Sequence, residues 1–419
     1  MKTIAIIGGG VTGVTTAYAL AKRGFAVTLL ERHRYVAMET SYANGGQLSA
    51  SNAEVWNHGA TVSKALKWML RSDAPLLLNP WPTWHKLSWF AEFISAMPQY
   101  HDNTIALTRM AVAARAYLFD WAETEGIQFD LKRAGILHLH RSREEFDHAV
   151  MVSRLLERGG APRRAVTPEE MRAIEPALPA GFYGGHYTDS DSSGDVHKFT
   201  TGLAQAAQRL GAQLCFGQRV VQVEAGASGP RVTVLRDETA DTTEYDAVVI
   251  CAGAASRELA AQVGDHVNVY PVKGYSVTVQ LDDVASRAAA PQVSLVDDTY
   301  KLVCSRLGDD RLRVAGTAEF NGYNRDIRAS RIAPLTGWVQ QNFPEVSTRG
   351  ITPWAGLRPM MPDLVPRVGR GKAPGVFYNT GHGHLGWTLS AATAESVAAD
   401  IAASMGSVMQ AGASPLKLA

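Results

Sequence analysis

The strongest constraint on this chain sits at its start, where an apolar run meets a glycine cluster with nothing between them. Lys2-Thr-Ile-Ala-Ile-Ile7 is apolar and rich in β-branched residues, the pattern of a strand buried on both faces. Gly8-Gly-Gly10-Val-Thr-Gly13 follows at once. Val14, Ala17, Tyr18 and Ala21 then recur at the i, i+3, i+4, i+7 spacing of a helix with one buried face. Gly24 ends that helix, residues 25–30 read as a second strand, and Glu31 stands at its end with Arg32 beside it. Such a strand–turn–helix–strand unit is a nucleotide-binding turn. Gly8 permits the tight turn, Gly10 lets backbone N–H groups approach a pyrophosphate, and Gly13 lets helix and strand pack closely. Val11 and Thr12 open the helix, whose N-terminus adds partial positive charge. Glu31 can accept the ribose hydroxyls of an adenosine. NAD and FAD share an ADP half, so the turn alone does not choose between them.

The rest of the chain narrows the class. At 419 residues, 46% of them hydrophobic and 19% charged, it has the material for two or three domains and a large core. Lys+Arg is 41 against 40 for Asp+Glu, a balance that gives nucleic acid no electrostatic footprint. Cys215, Cys251 and Cys304 form no C-x-x-C, so a disulfide scaffold or a cysteine metal site is not expected, and a reducing compartment, the cytoplasm, is. No serine elbow, Walker loop or H-E-x-x-H stands anywhere, and no metal is expected. Residues 61–128 read as mostly helical, 135–140 as a strand and 167–176 as a short helix. Residues 195–210 read as a helix, and 213–223, 231–236 and 246–251 as strands. Residues 273–280, 301–306 and 311–316 alternate like antiparallel strands. A last strand, 376–379, runs into Gly381-His-Gly-His-Leu-Gly386, which opens a helix to about residue 402. That turn either faces a flavin ring with a helix N-terminus or simply uses glycine for conformational freedom.

Three further segments carry a family resemblance. Glu39-Thr-Ser-Tyr-Ala-Asn-Gly-Gly-Gln47, Trp354-Ala-Gly-Leu-Arg-Pro-Met-Met-Pro-Asp363 and Asn379-Thr-Gly-His-Gly-His-Leu-Gly-Trp-Thr388 resemble the FAD-dependent D-amino-acid dehydrogenases, within the D-amino-acid oxidase and glycine oxidase group. Lys67-Trp-Met69 with Ala74-Pro-Leu76, Tyr270-Pro-Val-Lys-Gly-Tyr-Ser276, Asp298-Thr-Tyr-Lys301 and Gly194-Asp195 with Phe199-Thr200 are similar too. The likeness runs from residue 1 to about residue 402. One stretch departs from it: where a proline-rich loop is typical after Gln47, this chain reads Ala50-Ser-Asn-Ala-Glu-Val-Trp-Asn-His58.

The resemblance implies an α/β fold in which a Rossmann-like FAD-binding domain (1–60, 190–265 and 352–419) interleaves with an α+β substrate domain (61–189 and 266–351) containing an antiparallel sheet. It implies FAD lined by Ser41, Asn44, Gly45, Gly46, Gln47, Val220, Gly253, Gly383, His384, Leu385, Gly386, Trp387 and Thr388, besides the N-terminal residues named above. Cys251 reads as packing. The implied reaction is oxidative deamination of a D-amino acid to a 2-oxo acid and ammonia. Hydride passes from Cα to flavin N5, and electrons go on to a quinone or another carrier. Arg358 is the expected carboxylate anchor. Tyr275 and Tyr300 either donate to the substrate or pack in the core, while Lys273, Glu319 and His382 have no assigned role. Hydride transfer from a neutral amine needs no side-chain base, so His382 and His384 are not read as one. The alternatives are oxidation of a cyclic or N-substituted amino acid (D-hydroxyproline, sarcosine, glycine) and a flavin-binding subunit of a larger complex. Trp56, Trp68, Trp81, Trp84 and Trp89, with Lys64, Lys67, Arg71 and Lys86 against Asp73, suit either the inner face of a membrane or packing within the substrate domain.

Overall fold

The computed structural model describes residues 1–59 and 75–406. The N-terminal unit forms as its pattern predicts: β1 (Thr3–Ile7), α1 (Val11–Ala21) and β2 (Ala26–Glu31), with β1 and β2 parallel. They belong to a six-stranded sheet ordered Arg367–Arg370, Val376–Thr380, Ala247–Ile250, β1, β2, Gln213–Phe216. Every neighbouring pair is parallel except the first. β1 reads as a continuous apolar run because both its faces are covered. Ile4 and Ile6 pack with Val14 and Ala17 of α1 and with the helix Gly386–Ser404, while Ala5 and Ile7 pack against Val223, Val232 and Leu259 on the other side. The predicted strand 213–223 is two. Gly217, at φ +67, breaks it, so Gln213–Phe216 joins the parallel sheet and Arg219–Glu224 joins a three-stranded antiparallel sheet with Arg231–Arg236 and Thr239–Glu244.

The second large sheet has nine strands. At its centre Tyr270–Gln280, Arg311–Phe320 and Leu302–Leu307 pair antiparallel, as their alternation predicts. One face packs on the helix Ala329–Asn342, where Val277, Leu312 and Val314 meet Ile332, Leu335 and Trp338. Ile351–Met360 is the edge strand of this sheet, antiparallel to Tyr270–Gln280 with Val272 opposite Arg358. The expected boundary at residue 352 therefore falls inside an element of the large sheet. The chain enters the parallel sheet at residues 3–31, returns at 213–250 and returns again at 367–380, so the two sheets are interleaved in sequence.

The predicted helical stretch 61–128 gives the helices Trp84–Ser95 and Tyr100–Thr124, preceded by a strand, Leu76–Leu78, parallel to Ala318–Phe320. Residues 60–74, with Lys64, Lys67, Trp68, Met69, Arg71, Asp73 and Ala74, lie outside the described residues. Among the described residues no helix is long and apolar enough to cross a membrane.

Candidate functional site

A cavity of about 1420 Å³ runs between the two sheets, from the N-terminal glycine turn to the strand Ile351–Met360. At its first end the glycines are dictated by contact. Gly8 has φ +109, and a Cβ there would stand 2.6 Å from the Cys251 carbonyl oxygen. Gly13 does not face the cavity; a Cβ on it would meet the Gly8 carbonyl oxygen at 1.9 Å, which is the close packing expected of the third glycine. Gly10 has no side chain to cap α1, so the Ser41 hydroxyl accepts the Val11 N–H instead, at 3.0 Å. Glu31 is buried, and its two oxygens accept the Gly9 N–H at 2.6 Å and the His33 N–H at 2.8 Å. Each oxygen keeps a second lone pair for a ribose hydroxyl. Arg32 lines the same end and pairs with Glu39, which Arg325 also holds at 2.6 Å. Val220 and Gly253 complete that end. Cys251 is buried and its thiol is pushed up to about 12 by burial, so it packs and does not react.

Midway, Asn44, Gly45, Gly46 and Gln47 thread between the sheets. A Cβ on Gly45 would meet Val303 Cγ2 at 2.4 Å, and the Asn44 side-chain oxygen accepts the Gly46 N–H at 2.9 Å. Gln47 donates to the Leu295 carbonyl at 3.2 Å, but its own side-chain oxygen is buried and, among the described residues, has no partner. The Trp387 indole N–H is in the same condition. Both residues line the cavity, with Gly383, His384, Leu385, Gly386 and Thr388. Buried polar atoms that no protein group satisfies are what a polar cofactor would complete. The glycine-lined turn, the helix start and these two atoms fit an extended dinucleotide such as FAD, held in the order in which the residues occur along the cavity.

Arg358 lines the same cavity. Its Nη1 donates to the Thr317 carbonyl at 2.8 Å, and among the described residues no carboxylate lies within ion-pair reach of it. Burial pulls the guanidinium down to about 10, still charged at neutral pH. The backbone makes room for it: a Cβ on Gly274, in the adjacent strand, would overlap the guanidinium at 2.2–2.5 Å. A Cβ on Gly356 would likewise strike the Trp354 ring at 2.0 Å. Burial pulls His382 down to about 3, so it is neutral, and it bonds Thr393 at 3.1 Å, whereas the His384 ring is exposed and stands 3.2 Å from the Asn52 carbonyl.

The two tyrosines separate. Tyr275 lines the cavity, but its hydroxyl donates to Glu319 at 2.9 Å behind the sheet. Glu319 is also held by Arg328 and stands 3.5 Å from Lys273, so Lys273, Glu319 and Tyr275 form a buried brace. Tyr300 is a correction: it does not line the cavity. Asp297 accepts the Tyr300 N–H at 3.2 Å, and Arg141 lies over the ring, so the turn points Tyr300 away and leaves Asp298 and Lys301 facing inward. Sequence reading missed Asp298 and Lys301 as lining residues, and with them Glu54, Trp56, His58 and His148. The signal available was the departure from the family pattern after Gln47, which gives three of these residues. Gly274 carried a second signal, a glycine inside a strand pattern, which marks close approach by another group.

Comparison with known proteins agrees with this geometry. A family model described as FAD dependent oxidoreductase (DAO) matches residues 3–400. D-amino acid dehydrogenase 3 of Mesorhizobium japonicum is 56% identical over 96% of this chain and 97% of its own length. D-amino acid dehydrogenase of Dechloromonas aromatica is 40% identical over 94% and 96%. Among solved structures, the L-proline dehydrogenase of P. horikoshii superposes with a TM-score of 0.75 at 19% identity, covering 96% of this chain and 94% of that one. Glycine oxidase of Geobacillus kaustophilus gives 0.74 at 23%, covering 96% and 95%. These two establish a shared fold. With the match running almost from end to end, and with a nucleotide turn and an arginine lining one cavity, the chain belongs to the DAO family of FAD-dependent oxidoreductases.

Proposed function

We propose that this protein oxidises D-amino acids to 2-oxo acids and ammonia with FAD. The observation that carries the reading is Arg358: a cavity-lining guanidinium that, among the described residues, has no carboxylate within ion-pair reach. Bound FAD supplies the two-electron acceptor. The rest is the protein's work. Arg358 takes the substrate carboxylate, and its planar fork fixes the orientation of Cα. The neutral, buried His382 adds no positive charge that would oppose the amino group. Gly8, Gly10, Ser41 and Glu31 would hold the ADP half of FAD, and Gln47, Trp387 and Thr388 would hold the other half. In this reading the six-stranded sheet is the flavin-binding unit and the nine-stranded sheet, through Met360, is the substrate unit.

The D configuration is supported by the D-amino acid dehydrogenases this chain resembles at 56% and 40% identity. Anaerobic addition of D-amino acids to the purified, flavin-loaded chain should bleach the flavin absorbance, and L-enantiomers should not. Bleaching by N-methyl or cyclic amino acids alone would move the assignment to that class. No bleaching by any of them would point to a subunit role.

Electrons leave to a quinone or another carrier at a membrane surface. Support comes from Trp81 and Trp84, which are 75% and 80% exposed beside the exposed Leu87. Trp89 is instead fully buried against Phe93, and Trp56 is half-buried against the same ring. Sedimentation with anionic lipid vesicles checks this, and a protein left wholly in the supernatant would oppose it.

A further inference from the structure

In the wall of the cavity, two residues of the loop after Gln47 meet a third from a distant helix. Glu54 and His58 come from residues 50–58, the stretch that departs from the family pattern, and His148 comes from the helix Arg143–Arg158. Each places one nitrogen or carboxylate oxygen within 4.8 Å of the other two. Glu54 Oε1 stands 3.4 Å from His148 Nε2 and accepts the Tyr100 hydroxyl at 2.5 Å. The two imidazole rings lie 5.8 Å apart, with their planes inclined by 38°.

These separations are ones that a metal ion would close. An ion bound tetrahedrally at about 2.0–2.1 Å from each ligand sets neighbouring ligand atoms roughly 3.3 Å apart. The Glu54–His148 pair already stands near that spacing, at 3.4 Å. Rotation of His58 on its irregular loop, and of His148 at an exposed helix position, closes the rest. The Tyr100 hydroxyl orients the carboxylate, as outer partners do in bound sites. A metal takes one nitrogen of each imidazole and leaves the other to a hydrogen-bond partner, so a ring that is held by a second contact still serves as a ligand. Glu144, Glu145 and Asp147, on the helix of His148, line the same cavity and favour a cation there. Lys301 and Arg163 line it too, but Lys301 pairs with Asp298 at 3.3 Å, and Arg163 donates to Ser153 and to the Ala149 carbonyl at 2.8 Å each.

We propose that Glu54, His58 and His148 bind one divalent transition-metal ion of the zinc class, through two imidazole nitrogens and one carboxylate oxygen, in the wall of the cavity. Two imidazoles suit such an ion and disfavour magnesium and calcium, which take oxygen ligands. Three protein ligands leave the fourth position of a tetrahedral ion to water. No motif spacing announces the site, because two ligands come from an irregular loop and the third from a helix that only the fold brings beside it. The site needs no amino-acid substrate, so it stands or falls apart from the oxidation reading.

The test uses the untagged, FAD-loaded full chain, stripped with a chelator and dialysed against Zn²⁺, and in parallel against Co²⁺ as a spectroscopic probe. The expected result is one ion per chain, with Co²⁺ giving ligand-field absorption at wavelengths beyond the flavin bands. Excess Mg²⁺ should not displace either ion. Glu54→Gln and His148→Ala should each weaken binding at least tenfold with flavin content unchanged, and His148→Ala, at an exposed position, serves if Glu54→Gln does not fold. Tyr100→Phe removes only the hydrogen bond that orients Glu54 and should weaken binding by about 10- to 100-fold. No stoichiometric Zn²⁺ or Co²⁺ on the unaltered chain, or equal affinity in His148→Ala, would overturn the site. Displacement by Mg²⁺ would overturn the class of ion assigned to it.

Discussion

Arg358 is unusual for a charged side chain in that the described residues offer it a carbonyl and no counter-ion. Its own strand neighbours show that the fold is arranged around it. Gly274 has no Cβ where the guanidinium lies, so Gly274→Ala would push the fork aside by direct overlap while leaving the nucleotide end untouched. We expect Gly274→Ala to raise KM for amino acids at least tenfold, with FAD content near wild type; loss of flavin instead would mean the sheet had shifted as a whole. Arg358→Ala removes a charged hydrogen-bond donor pair of about 1.5–3 kcal/mol, so kcat/KM should fall roughly ten- to 150-fold, with Arg358→Lys in between. Amines that lack a carboxylate should lose far less. Equal losses for both kinds of substrate would reduce Arg358 to a structural role. This residue was legible in the sequence only through the family segment around it, since an arginine in a strand has no signature of its own. Tyr300 shows the reverse: its segment matches the family, yet the hydrogen bonds of one turn leave it as the one residue of 298–301 that does not line the cavity, and no spacing rule encodes that.

At the scale of elements, what could be read was what is local. β1, α1 and β2 follow from periodicity and three glycines, and the paired strands of the large sheet follow from alternation. What could not be read was pairing between distant segments. Leu76–Leu78 looks too short and too apolar to classify, and becomes a strand only because Ala318–Phe320 accepts it as a neighbour. The break at Gly217 was hidden because both halves around it are β-forming, and only the choice of sheet separates them. The turn between Leu76–Leu78 and the helix Trp84–Ser95 has its own device. Lys86 is buried at 5% exposure, and its ammonium donates to the carbonyls of Asn79 and Trp81, at 2.5 Å each. These bonds fix the turn that displays Trp81. Lys86→Met should leave both carbonyls unpaired and lower the free energy of unfolding by about 1–3 kcal/mol. Denaturant unfolding measures this, and no change in the midpoint would mean that water replaces the ammonium without cost.

On the scale of the whole molecule, the interleaving of two sheets leaves polar groups buried where no element reading would place them, and histidines are the clearest case. His140 and His186 share a hydrogen bond at 3.1 Å between strands of the large sheet, and His382 lies beneath the C-terminal helix. Burial is the main cause that lowers all three, to about 4, about 3 and about 3 in turn, from an ordinary value near 6.5. The sign follows from linkage. The unfolded chain takes up these protons as pH falls through 6.5, while the folded protein does not until near pH 4, so their contribution is intact above 6.5 and is lost below it. At pH 5 the loss is about 2 kcal/mol per histidine. Because His140 and His186 are coupled, the three together should cost roughly 4–6 kcal/mol, a large part of the stability of an ordinary domain. Unfolding in urea at pH 7.5 and at pH 5.0, with free FAD held constant, should therefore show a fall of that size. His186→Gln, which keeps a hydrogen-bonding amide but cannot take a proton, should recover part of it at pH 5.0 and none at pH 7.5. A stability that stays level between the two pH values would mean that these imidazoles are charged in the folded protein, and that the buried sheet carries compensating carboxylates such as Asp298 at closer range than their neutral state requires.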